Sequence, residues 1–286
     1  MKGFEVRMKR RKPMRPSPPT ARAGVRKTPL TVTQVAEETA RRLRRMKDPV
    51  RARGAQQYFK HEIVALGITT PALRRFVQEQ VGVLRQVWSL PQAIRLCDHL
   101  LREPELEIRG AGILILAAFK REFTPDLLVP AQRWLDTRLD NWALVDAFCG
   151  SVLSPLLDRH PSAEATLRSW SDHERLWVRR AALVTLVPFA RRGRLLDLVY
   201  ALTRDHFSDP EDLMHKATGW LLREAGKTDA DRLRQFLLRH GPLIPRTALR
   251  YAIERFSAVE RATLLRTTRA PSTRASPRWG KKTRDG

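Results

Sequence analysis

A chain of 286 residues that is 42% hydrophobic holds enough apolar material for a folded core. Lys and Arg number 54 against 30 Asp and Glu, a net +24, so the partner to expect is a polyanion: DNA, RNA or an anionic surface. There is no stretch of about 18 uncharged apolar residues to span a membrane, and the two cysteines, Cys97 and Cys149, show no CxxC spacing for zinc or redox chemistry.

The charge is unevenly spread. Residues 1–30 hold ten basic side chains and one acid, and they include the run from Met8 to Pro19, too polar and proline-rich to pack a core. They read as a basic tail, as do residues 267–286, with six basic side chains and one acid. The remaining +10 belongs to the part between the tails, read as one domain over 31–260. An arginine-biased proteome would also raise the charge, so the balance supports nucleic-acid binding without proving it. No apolar run follows the basic N-terminus, so it is not a secretory signal, and a cytoplasmic, nucleoid-associated protein is expected.

Between the tails the pattern is helical almost throughout. Thr33–Met46 carries helical charge spacing, and Pro49–Leu66 reads as a second helix stopped by Gly67. Thr69-Thr70-Pro71 supplies a cap and a first-turn proline, after which Leu73, Phe76, Val77, Val81 and Leu84 recur at helical spacing. Further starts are expected at Ser89-Leu90-Pro91, Pro104, Thr124-Pro125, Asp140, Ser162, Ser171-Asp172, Asp209-Pro210, Thr228-Asp229 and Ile244-Pro245. No useful alternating strand is found. Pro125–His160 and Ser162–Leu202 look like two-helix repeats, so the expected fold is all-α: a HEAT-like helical-repeat solenoid with a concave basic DNA-binding face. A closed bundle is disfavoured because no helices are long enough to organise one of this size.

Three segments could carry chemistry. In Asp140-Asn141-Trp142-Ala143-Leu144-Val145-Asp146, an Asp or Asn caps a helix, and Trp142 and Asp146 stand four apart on one face. Leu176 to Ala182 places Arg179 and Arg180 in an apolar helix. Lys216 to Glu224 sets Lys216 and Trp220 on one face beside Gly219. Taken singly, each has a plainer structural reading: indoles as core, Asp146 as a complement to the helix dipole, arginines as solvated surface. Taken together on successive repeats, they could converge on one point. The seven histidines are scattered and the acids do not cluster, so neither a metal nor a cofactor is expected. Cys149 reads as a small core residue.

These segments resemble the AlkD-like family of DNA alkylation repair glycosylases. The likeness runs from about Thr33 to Phe256. It is carried by Tyr58 to Pro71, Trp88 to Pro91, Asn141-Trp142 to Asp146, Asp158 to Pro161, Leu176-Trp177 to Ala182, Lys216 to Thr228 and Arg246 to Phe256. The resemblance implies that Trp142, Asp146 and Trp220 are catalytic. It also implies that Arg180 lies near the DNA backbone and that Tyr58 contributes from an early helix; Arg179 and Lys216 join them as DNA-binding candidates. Where the family often has two adjacent tryptophans, this chain has Asn141-Trp142. The implied reaction is hydrolysis of the N-glycosidic bond of cationic alkylated purines, 3-methyladenine and 7-methylguanine, in duplex DNA without a base-binding pocket. The expected partner is double-stranded DNA containing alkylated bases, bound by a monomer without a membrane. Three other readings remain: a non-catalytic HEAT-repeat protein for branched or damaged DNA, an RNA-binding solenoid, and a protein scaffold, which the +10 on the domain disfavours.

Overall fold

The structure is a computed structural model that describes residues 31–269. The expected tail at 1–30 and residues 270–286 of the second tail lie outside them. Sixteen α-helices make up the described part: α1 (Val32–Arg45), α2 (Pro49–Ala55), α3 (Thr70–Leu84), α4 (Leu90–Leu100), α5 (Leu106–Ala117), α6 (Leu128–Thr137), α7 (Trp142–Phe148), α8 (Ser154–Arg159), α9 (Glu164–Ser171), α10 (Leu176–Val184), α11 (Val187–Ala190), α12 (Leu196–Asp205), α13 (Asp212–Ala225), α14 (Ala230–His240), α15 (Arg246–Ala252) and α16 (Ala258–Thr267). The last helix carries the folded part past residue 260. Among the described residues there is no strand, only an isolated bridge between Val64 and Glu105, and no helix is long and apolar enough to cross a membrane.

Side chains that satisfy orphan N–H groups set the helix starts. Thr31 caps α1 in a box with Gln34, Asp48 caps α2, Thr69 caps α3, Asn141 caps α7 and Asp229 caps α14. Of the two capping candidates for α7, Asn141 is the one used: its Oδ1 accepts from Leu144 N–H at 3.1 Å.

The second helix departs from expectation. It ends at Ala55, a short 3-10 turn covers Gln56–Tyr58, and the chain then stays out of helix until α3. Two competing sets of hydrogen bonds explain the break. Gln56 Nε2 donates to His61 O at 2.8 Å and its Oε1 accepts from Ile63 N–H at 3.0 Å. The Glu107 carboxylate accepts from the backbone N–H of Leu66, Gly67 and Ile68 at 2.8, 2.7 and 3.1 Å. Gly67 adopts φ 79°, and a Cβ there would lie 2.3 Å from Asp48 O, so only glycine fits.

The fold is a helical-repeat solenoid in two layers. The front layer is α3, α5, α7, α10, α13 and α15, each packed on the next. Behind it lie α1, α4, α6, α9, α12 and α14. Cross-repeat hydrogen bonds tie the back layer together: Trp134 Nε1 donates to Asp98 at 2.8 Å, Trp170 Nε1 donates to Gln132 at 3.1 Å, and Ser171 Oγ pairs with His206 Nε2 at 2.9 Å. Between the layers lie two hydrophobic clusters, a smaller one among α1, α3, α4 and α5 and a main one that fully buries Trp134, Trp170, Phe119, Phe123, Phe148 and Phe189.

Candidate functional site

Trp142 opens α7, and Asp146 follows one turn later on the side of the helix away from the core. Leu144, Val145, Phe148 and Cys149 are buried, whereas Trp142, Ala143, Asp146 and Ala147 are half-buried and Gly150 is exposed. That division is the ordinary outcome for an amphipathic helix on a core. It leaves the indole and the carboxylate on the open stripe of the front layer.

Asp146 is held in a bidentate ion pair. Arg180 of α10 donates from Nε to Oδ1 and from Nη2 to Oδ2, both at 2.9 Å. Its Nη1 donates to Leu213 O at 2.6 Å, at the start of α13. One arginine thus joins three successive front helices. The Arg180 side chain is 6% exposed and that of Asp146 is 19%, so the acid is the member of the pair that reaches solvent. Burial pushes the Asp146 carboxyl above the usual carboxylate range, and the Arg180 charge opposes that rise without cancelling it.

Trp142 is fixed from the other side. Its ring stacks on Phe59, with centroids 5.2 Å apart and planes 18° apart, and its Nε1–H donates to Tyr58 O at 3.4 Å. Tyr58 therefore meets the site through its carbonyl, while its side chain is exposed. Lys60, in the same turn, lies 4.0 Å from Asp212 at the head of α13, and Asp212 pairs with Lys216 at 2.9 Å. The hydrogen bond from Lys216 holds the Asp212 carboxyl below its usual range. The turn after α2 thus reaches both α7 and α13.

The structure brings Tyr58 onto Trp142 and Arg180 onto Asp146, two pairs one turn apart on α7, with Lys216 one turn along α13 from Asp212. Trp220 follows Lys216 by a further turn. It is half-buried and packs partly against the main core. Arg179 faces elsewhere: its guanidinium pairs with Asp209 at 2.8 Å and donates to His173 O and Glu174 O. It closes a buried network in which His206 lies between Ser171 and Asp209. Ser171 and His206 are 3% and 5% exposed, so this Ser-His-Asp arrangement has no access to a substrate and serves packing. Sequence reasoning missed Phe59, Lys60 and Asp212. Phe59 was the one with a signal, being an aromatic residue directly after Tyr58.

With α7, α10 and α13 presenting an indole, a pinned carboxylate and a lysine on the open side of a helical solenoid, the comparison with known proteins becomes specific. The profile of a family described as DNA alkylation repair enzyme matches residues 39–256. The chain belongs to the DNA alkylation repair enzyme family. A solved structure, described as a predicted DNA alkylation repair enzyme from Enterococcus faecalis, superposes with a TM-score of 0.67 at 19% identity, covering 74% of this chain and 97% of that one. At that identity the likeness speaks for the fold. No curated protein matches the sequence. The family match spans every helix that contributes to the site, from α2 and its turn to α13, and it implies an enzyme of DNA repair that acts on DNA.

Proposed function

We propose that this family member is a glycosylase that releases cationic alkylated purines, such as 3-methyladenine and 7-methylguanine, from duplex DNA. The observation that carries the reading is Asp146: an acid that reaches solvent on the open stripe of the front layer, one turn from Trp142 and locked in direction by Arg180. A cationic base is a ready leaving group, because breaking the glycosidic bond neutralises it. What the site must supply is stabilisation of the positive charge that develops on the deoxyribose. An oriented carboxylate does this, and the negative faces of indole rings add to it.

An ionised carboxylate offers about four lone-pair sites, of which Arg180 takes two. The others are available to the sugar cation and to a water that attacks it. Trp142, backed by Phe59, presents its free face as one wall, and Trp220 is assigned to the other. Three of the five N–H groups of Arg180 are already engaged by Asp146 and Leu213 O. We therefore assign Arg180 to holding Asp146, in place of the backbone contact that the resemblance implies. Tyr58 and Lys216 remain candidates for DNA contact, whereas the inward-facing Arg179 is better placed to brace the helices.

The deciding experiment is base release from duplex DNA containing 7-methylguanine. Asp146→Asn should lose on the order of 2–4 kcal/mol of transition-state stabilisation, a factor of about 30 to 10³ in rate. Duplex binding should persist, because phosphate contacts dominate affinity. If the wild-type protein binds duplex but releases no base, the reaction is disproved and a non-catalytic binder of damaged or branched DNA takes its place.

A further inference from the structure

Beyond the site, the C-terminal ends of the same front helices build a second feature. A cleft of about 310 Å³ is lined by Lys120 and Arg121 after α5, by Gly150, Ser154, Pro155, Asp158 and Arg159 at the π-turn and α8 that continue α7, and by Pro188 and Arg192 at α11 after α10. Lys120, Arg121, Arg159 and Arg192 are all exposed. Among the described residues none of the four forms an ion pair. Arg192 makes a single hydrogen bond, to Pro188 O at 2.9 Å. The acids nearby are spent: Asp158 pairs with Arg194 at 2.6 Å, and Glu122 is taken by Arg85 and by Leu90 N–H.

Several arginines that link neighbouring repeats are matched to acids, as Arg109 is to Asp140, Arg180 to Asp146 and Arg191 to Glu224. Cations are common at helix C-termini, where they complement the dipole. That preference accounts for one cation at one helix end. It does not account for four converging on a cleft whose only carboxylate is already neutralised. The floor of the cleft is open as well, since a Cβ on Gly150 would meet nothing within 4 Å.

The cleft lies just past the end of the helix that carries Trp142 and Asp146. Gly150 stands four residues after Asp146, exposed in the π-turn that continues α7, roughly 6 Å further along at about 1.5 Å per residue. We propose that this cleft binds backbone phosphates of the same duplex that is engaged at Trp142 and Asp146. The inference rests on the duplex-binding half of the function proposed above, and it assigns phosphate anchoring to Lys120, Arg121, Arg159 and Arg192.

The test is the salt dependence of binding to a short unmodified duplex, with base release from the 7-methylguanine duplex measured on the same samples. The variant Lys120→Gln/Arg121→Gln/Arg159→Gln/Arg192→Gln removes only exposed side chains. The matched control, Arg41→Gln/Arg95→Gln/Arg168→Gln/Arg239→Gln, removes the same formal charge from the back layer. The slope of log affinity against log salt should fall by about 0.9 for each phosphate that the variant no longer neutralises, and should change less in the control. Gly150→Glu, which meets no clash, should weaken binding by placing a negative charge in the cleft with all four cations intact. Equal slopes for the cleft variant and its control, or unchanged binding by Gly150→Glu, would overturn the proposal. If the wild-type protein releases no base yet the slope falls as expected, the cleft stands and the glycosylase reading fails. If release persists and the slopes match, the cleft alone fails.

Discussion

At the scale of single residues, the site turns on a charge pair whose members are unequal in exposure. Removing one partner of a buried ion pair leaves the other charge desolvated and typically costs about 3–5 kcal/mol. Arg180→Gln should therefore lower the melting temperature, since it leaves the partly buried Asp146 without its partner. It should also change the pH profile, which loss of packing alone would not do. The folded Asp146 already holds its proton to a pH above the usual carboxylate range. As pH falls through that raised value, the carboxylate is neutralised and base release should decline. The Arg180 charge restrains the rise, so without it the acid limb of the rate profile should move to higher pH. Arg180→Lys keeps the charge but not the two-pronged geometry, and it should restore part of the shift. An acid limb that stays in place in Arg180→Gln would show that Asp146 is not the group being titrated.

At the scale of helices, α13 is positioned by a close approach. A Cβ on Gly219 would come within 2.4 Å of Ala248 O and 2.5 Å of the Tyr251 Cβ on α15. Gly219→Ala must force the two helices apart, at about 1–3 kcal/mol for an overpacked interior. Thermal melting should show a loss of a few degrees, and base release should fall with it, because Lys216 and Trp220 flank this contact. The starts of most helices could be read from the sequence, since capping is a local property: Thr69, Asn141 and Asp229 act within three residues of themselves. The Trp142 and Asp146 pairing was readable for the same reason, being one turn of one helix. What the sequence hid are contacts between repeats. Arg180 finds Asp146 across 34 residues, Arg179 finds Asp209 across 30, and Glu107 reaches back about 40 to end the helix expected over Pro49–Leu66. Local periodicity carries no information about which acid an arginine will meet on the next repeat. For that reason the helical pattern left Arg179 and Arg180 alike and only the family resemblance singled out Arg180, although one braces a buried network and the other orients the candidate catalytic acid.

At the scale of the whole molecule, most of these links join a repeat to its immediate neighbour, as expected of a quasi-linear array. The front ion pairs Arg109–Asp140, Asp146–Arg180 and Arg191–Glu224 span 31, 34 and 33 residues, and the back-layer hydrogen bonds Trp134–Asp98 and Trp170–Gln132 span 36 and 38. An array built this way frays from its ends. The turn after α2 breaks the rule, because Phe59 and Tyr58 pass over the intervening α4–α5 repeat to hold Trp142 on α7. Phe59→Ala should forfeit about 0.5–1.5 kcal/mol of aromatic pairing. Hydrogen exchange should then quicken across α1–α3 more than across α10–α13, whereas uniform exchange throughout would refute the coupling. The stacking partner of Phe59 is also the indole proposed to wall the reaction. DNA that packs on the free face of that ring bears on the same stack that links it to the turn after α2. Docking at the middle of the array would then be felt by amides near its beginning, and lesion engagement could be followed from a part of the chain that never touches the damaged base.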